Sequence, residues 1–184
     1  KCPSITENRD RTGMALAQIE IAKRTIDQST DTALNRLKWI RRNKDKQNLT
    51  NLNIDINFTN QMLASLTKAI KTSAAKKKKN DKEQGVFYWS EGSIAVGRIG
   101  DTSIASTRKI GTNAITVGSD KFTNNNGIKG LAFRLGRNNV DVGTSGSNLD
   151  TDTYNLTYYA TSPVKDDSKF IDTIIGFGKL KSDI

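Results

Sequence analysis

At 184 residues the chain is long enough for one ordinary domain or two small ones, and 29 Lys and Arg against 19 Asp and Glu leave it at +10. Histidine is absent and Cys2 is the lone cysteine, which excludes an intrachain disulfide and a Ser-His-Asp triad and argues against a zinc or cysteine metal cluster. No run approaches the roughly 18–20 apolar residues of a spanning helix, a test that is blind to barrel strands of about 10 alternating residues.

The charge is divided unevenly. Residues 1–84 hold 18 basic and 9 acidic side chains, a net +9, while 85–184 hold 11 and 10, a net +1. Thirteen of the fourteen glycines lie in the second part. Two regions of different physics are therefore expected: a basic helical region at 1–84 and a glycine-rich strand region at 85–184. They meet near 76–85, where AKKKKNDK reads as a solvated linker. The chain opens on Lys1 with no signal-peptide pattern, as expected of a mature product or a cut piece of something longer.

Residues 12–42 predict a long helix. Thr12 is a candidate cap, and Met14, Ile19, Ile26, Ala33, Leu37 and Ile40 recur at helical spacings. Lys38, Arg41 and Arg42 complement the dipole of its last turn. The weak helix formers QSTDT at 28–32 interrupt the stripe, which suits packing on a neighbour or seeding an oligomer. After a polar turn at 43–53, residues 57–73 predict a second helix with Met62, Leu63, Leu66 and Ile70 on one face. Asn60, Gln61, Ser65, Thr67 and Thr72 occupy its other positions. Such a helix packs on the first or stands in a wet, polar cavity, and both remain open. Lys76, Lys77, Lys78 and Lys79 suit a solvated linker or contact with an anionic surface. Without interleaved aromatics or a recognition module, specific nucleic-acid reading is not expected.

From Gly85 the period becomes two. Five strands are predicted, at 86–99, 108–119, 130–136 with extensions, 152–161 and 170–180. In GLAFRLG, Leu131, Phe133 and Leu135 share one side, and the other carries glycine, alanine and Arg134. Most of the other strands repeat this parity of large apolar against small or polar. Long polar connections are expected at 100–107 and 137–151, and shorter turns at 120–127 and 162–168. The fold class is therefore α+β: N-terminal helices followed by an antiparallel meander of about five strands, resembling part of an outer-membrane barrel. No P-loop or dinucleotide motif appears and no cofactor is expected.

The ordered segments WSEGSIAVG, NAITVGSD, GLAFRLG and LDTDTY resemble the N-terminal part of an autotransporter β-domain, the translocator of type V secretion. The resemblance covers somewhat over half the chain. It implies a bacterial outer-membrane barrel of roughly twelve strands with a helix through its pore, which carries a passenger segment to the cell surface without catalysis. On that analogy residues 57–73 are the candidate pore helix, with Asn57, Asn60, Gln61 and Ser65 as its candidate residues. Glu91, Arg134 and Asp172 are the candidate lumen contacts to it. Some members cut their own pore helix at an asparagine with barrel carboxylates, a role open to Asn57 or Asn60. The implied partners are outer-membrane lipid, the passenger segment and the outer-membrane assembly machinery. Five strands do not close a pore, and the family's final strand is not found before Ile184. The remaining strands, copies of the chain or a compact soluble arrangement must then satisfy the free edges. The alternative is a secreted or surface-located soluble binding module that contacts anionic surfaces.

Overall fold

Strand-forming alternation extends further than the five predicted segments. The computed structural model describes residues 5–46, 48–77, 85–144, 146–164 and 166–183, without the side chains of 6, 7, 74–77 and 166–168. The elements are α1 (Ile5–Arg42), β1 (Asn51–Leu52), α2 (Gln61–Lys77), β2 (Val86–Ile99), β3 (Arg108–Phe122), β4 (Ile128–Val142), β5 (Ser147–Val164) and β6 (Asp166–Asp183). They build one open sheet in the order β1 to β6. β1 runs parallel to β2, and every later neighbour is antiparallel.

The long loop expected at 137–151 is largely strand. Val140, Val142 and Leu149 continue the period of two and are buried, so pairing runs to Val142↔Ser147. β4 ends at Val142 and β5 begins at Ser147, and between them Gly143 and Gly146 take φ +66° and +77°, a region that L side chains with a Cβ avoid. At the opposite end Pro163 has no amide hydrogen to give, and the register of β5 on β6 shifts between Pro163 and Val164.

The register assigns every strand residue to one of two faces. Trp89, Glu91 and Ser93 of β2 share a face with Thr112, Thr116 and Asp120 of β3, Arg134 of β4, Asn155 and Tyr159 of β5, and Asp172 of β6. We call this the inner face, because α1 lies along it. Two apolar clusters hold the helix there. Ala17 and Ile21 pack with Ile110, Val140, Val142 and Leu149, and Ala33, Leu37 and Ile40 pack with Trp89, Ile128, Ala132 and Tyr159. Ile19 and Ile26 are 66% and 61% exposed, against the single stripe predicted for them. Ile19, Ile26, Ala33 and Ile40 recur every seven residues, and a straight helix drifts by about 20° per heptad. The buried positions Ala17, Ile21, Thr25, Ser29, Ala33 and Leu37 instead recur every four residues. That spacing advances the contact line around the helix by about 40° per step, so the heptad stripe and the buried face diverge towards the N-terminal end. Thr12 is not a cap either: α1 begins earlier, and the Thr12 hydroxyl donates back to the Asn8 carbonyl at 3.0 Å.

α2 starts at Gln61 because Asn60 caps it. The Asn60 Oδ1 accepts from the amides of Met62 (3.1 Å) and Leu63 (3.2 Å). Among the described residues the helix packs on neither α1 nor the inner face. Leu63, with Ile54 and Phe58 from the segment before it, is buried against Ile115, and Leu66 and Ile70 join Val117 and Leu135 in the same cluster. Those three strand residues have the opposite parity to Asp120 and Arg134, so α2 lies on the outer face.

Candidate functional site

The interface between α1 and the inner face is polar where two apolar clusters leave a gap. Residues 28–32, which looked like an interruption of the helix, lie opposite Glu91 and Arg134. The Thr32 hydroxyl donates to Glu91 Oε1 at 3.0 Å. Arg134 Nη2 donates to Gln28 Oε1 at 2.6 Å and to Ser93 Oγ at 2.9 Å. Its other terminal nitrogen reaches Thr116 Oγ1 at 3.3 Å. Weak helix formers are tolerated here because their side chains answer buried polar groups, which would otherwise cost about 1–3 kcal/mol each.

A tighter network sits one turn on. Arg36 grips Asp120 with two nitrogens, Nε to Oδ2 at 2.7 Å and Nη2 to Oδ1 at 3.0 Å, and the same Nη2 donates to the Leu49 carbonyl at 2.8 Å. Both side chains are almost fully buried. The Tyr159 hydroxyl donates to Asp120 Oδ2 at 2.8 Å and accepts from the Trp89 indole at 2.7 Å. The Arg36 guanidinium also lies 4.9 Å from the Trp39 ring centre and 5.7 Å from that of Trp89. The wall makes room for these rings with glycine. A Cβ on Gly118 would collide with the Trp89 indole, and one on Gly130 with the Tyr159 ring.

Further contacts bracket the helix. Near its C-terminus Arg41 pairs with Asp172 at 2.9 Å and donates to Thr161 at 3.1 Å. Glu20 meets Arg108 at 3.4 Å, and Ser106 donates to Asp10. Beyond the strands, Asp101 accepts from the Thr107 hydroxyl at 3.0 Å and its amide at 2.6 Å. Those bonds, aided by the charges of Arg9 and Arg98, hold its carboxyl below the usual Asp range.

Glu91, Arg134 and Asp172 therefore all touch a helix, and that helix is α1. Asn57, Gln61 and Ser65 are exposed, and Asn60 is the cap of α2 on the other side of the sheet. Asn57 and Asn60 are thus not brought to Glu91, Asp120 or Asp172. Lys78 and Lys79 lie outside the described residues, as do the side chains of Lys76 and Lys77. Arg36, Asp120, Trp89 and Tyr159 were missed as a set. The available signal was an arginine whose helical neighbours include Ala33, Leu37 and Ile40.

Along β5 the usual burial of a soluble protein is inverted. Thr151, Thr153, Asn155, Thr157 and Thr161 are buried, whereas Leu156 is 48% and Tyr158 is 38% exposed. A sheet that hides its polar parity around a helix and shows its apolar parity is the pattern of a barrel in lipid. A family model described as autotransporter beta-domain matches residues 88–184. The chain belongs to the autotransporter β-domain family. This match spans β2 to β6 and begins just before Trp89, so most of the autotransporter wall described above falls inside it. Neither a curated protein nor a solved structure gave a significant match. The family is one of outer-membrane translocators, and the α+β architecture of helices with an open, mostly antiparallel sheet fits part of such a barrel. Among the described residues no helix is long and apolar enough to cross a membrane, and no group of acidic or sulfur side chains is placed to hold a metal.

Proposed function

We propose that this autotransporter chain forms the first part of a translocator wall and conducts an N-terminal passenger segment across the outer membrane, a structural role without catalysis. In this reading α1 stands in the lumen, and Glu91, Arg134 and Asp172 are its wall contacts together with Asp120. The observation that carries the proposal is the polarity of the two faces. Three outer rows are rich in apolar side chains: Ile115, Leu135 and Tyr154, a row that ends in Lys179 on β6; then Val117, Phe133, Leu156 and Phe177; then Tyr88, Leu131, Tyr158 and Ile175. Charged rows flank them, with Lys121 and Lys129 on one side and Arg137, Asp152 and Lys181 on the other.

Eight residue steps separate Lys129 from Arg137 on β4, about 27 Å along a strand rising about 3.4 Å per residue. At the 35–45° tilt of membrane strands this is about 19–22 Å of height, close to the ≈ 25 Å band of outer-membrane barrels. Lysine and arginine stems that reach towards the interface extend it further. Among the described residues nothing pairs with the far edge of β6, which suits continuation by the remaining strands or by a copy of the chain. Completion of the wall is the step in which the assembly machinery takes part.

Light scattering with circular dichroism, in buffer and again in mild detergent, tests the proposal. Self-association in buffer that resolves in detergent with β signal retained is the expected result. A β-rich monomer in buffer that gains nothing from detergent overturns it and favours a soluble module at an anionic surface.

A further inference from the structure

The segment from Leu49 to Ile70 occupies two surfaces at once. β1 pairs with the free edge of β2 through Asn51↔Trp89 and Leu52↔Ser90, and the Thr50 hydroxyl accepts from the Tyr88 amide at 3.3 Å. The chain then crosses to the outer face at Gly92, the one outer position in that row without a side chain. A Cβ there would lie 3.1 Å from Ile54 Cγ2 and 2.9 Å from Ile56 Cδ1. Phe58, Leu63, Leu66 and Ile70 next cover Ile115, Val117 and Leu135. Beyond this cover the same rows are bare, and Phe177 is 74% exposed. The outward side of α2 is polar, with Gln61, Ser65, Lys68, Lys71 and Thr72 exposed.

We infer that residues 49–70 are an exchangeable intrachain cover over the Gly92–Ile115–Val117–Leu135 patch. What replaces the cover is the acyl region of a lipid bilayer. The two occupancies exclude each other. If α2 stayed, the exposed Lys68 and Lys71 would point into the acyl region. The inference rests on the outer rows meeting lipid, and it adds that the chain itself shields the half of those rows nearest the β2 edge until the exchange.

A reversible staple tests it in the full chain with Cys2→Ser. The Cβ position at Gly92 is 3.4 Å from Ile56 Cγ1, the place a cysteine sulfur would take, so Ile56→Cys with Gly92→Cys is within reach of a disulfide. Flotation with dilauroylphosphatidylcholine vesicles is then compared for the oxidised and reduced forms. The expected result is at least a tenfold lower vesicle-bound fraction when oxidised, restored by reductant. In the unstapled chain Leu63→Ser, which loosens the cover, is expected to raise that fraction. Equal binding of oxidised and reduced chains, failure of the disulfide to form, or a fall in binding with Leu63→Ser overturns the cover alone. Failure of the reduced chain and the unsubstituted chain alike to bind vesicles overturns the membrane reading beneath it.

Discussion

The two faces of this sheet are made by the same strands and stabilised by opposite means. On the inner face, threonine, asparagine, arginine and aspartate are buried, and nearly every charged group finds a partner on α1 or on a neighbouring strand. On the outer face leucine, phenylalanine and isoleucine stand partly in the open, with α2 covering only the part nearest β2. A soluble sheet would reverse both choices. The contrast separates two kinds of specificity. The inner face is specific to one helix in one position, because an unanswered buried charge is costly. The outer face is specific only to an apolar medium and accepts a helix, lipid or detergent by the same contacts.

The sharpest way to break this contrast is at Asp120. Asp120→Ala leaves the Arg36 guanidinium buried without its carboxylate, and a loss of about 3–5 kcal/mol is expected in denaturant unfolding. Replacing both partners, Arg36→Met with Asp120→Leu, is expected to recover most of that loss, since no charge then stays behind. On the outer face, Leu156→Lys is expected to change unfolding in buffer by less than about 0.5 kcal/mol. The same substitution is expected to weaken partition into vesicles by about 2–4 kcal/mol, the cost of a lysine near the bilayer midplane. An inner-face mutant with the second pattern, or an outer-face mutant with the first, would erase the distinction.

A finer probe is Trp89→Phe, which keeps the ring and removes the indole donor to Tyr159. About 1 kcal/mol is expected from the lost hydrogen bond. The smallest effect is at Asp101, outside the strands. Its carboxyl titrates below the usual Asp value because Thr107 bonds its charged form. Whatever it contributes is present above the ordinary Asp pKa of about 4 and is lost as pH falls through the lowered folded value. The difference in melting temperature between the unsubstituted chain and Asp101→Asn is therefore expected to be constant near neutrality and to shrink only below about pH 4.

Most of the wall was legible in the sequence because period two is a strong local signal that tertiary context seldom overturns. Leu131, Phe133 and Leu135 fell on one face as their alternation required, and Arg134 fell on the other. The strands at 137–151 were obscured by Asn138, Asn139 and Asp141. Their polarity suggested a loop, although Val140 and Val142 kept the period beneath it. The location of α2 could not be read from its pattern. Met62, Leu63, Leu66 and Ile70 make an apolar stripe that any apolar surface satisfies, and nothing local says which one. The Arg36–Asp120 pair joins residues 84 positions apart, and each had a sufficient local explanation, as a charge on a basic helix and as the first residue of the turn expected at 120–127. Long-range polar pairs leave no periodic trace, so only the folded register brings them together.

The polar belt between the two apolar clusters of α1 has a mechanical consequence. A helix with an unbroken greasy stripe can creep along a groove, because each one-turn displacement of about 5.4 Å trades one apolar contact for another. α1 has no such freedom. Moving it by a turn withdraws Gln28 and Thr32 from Arg134 and Glu91 and takes Arg36 away from Asp120. The bonds at mid-helix and at Arg36 must therefore break together. The helix behaves as a notched bolt, seated at one depth and released in a single cooperative event rather than by sliding.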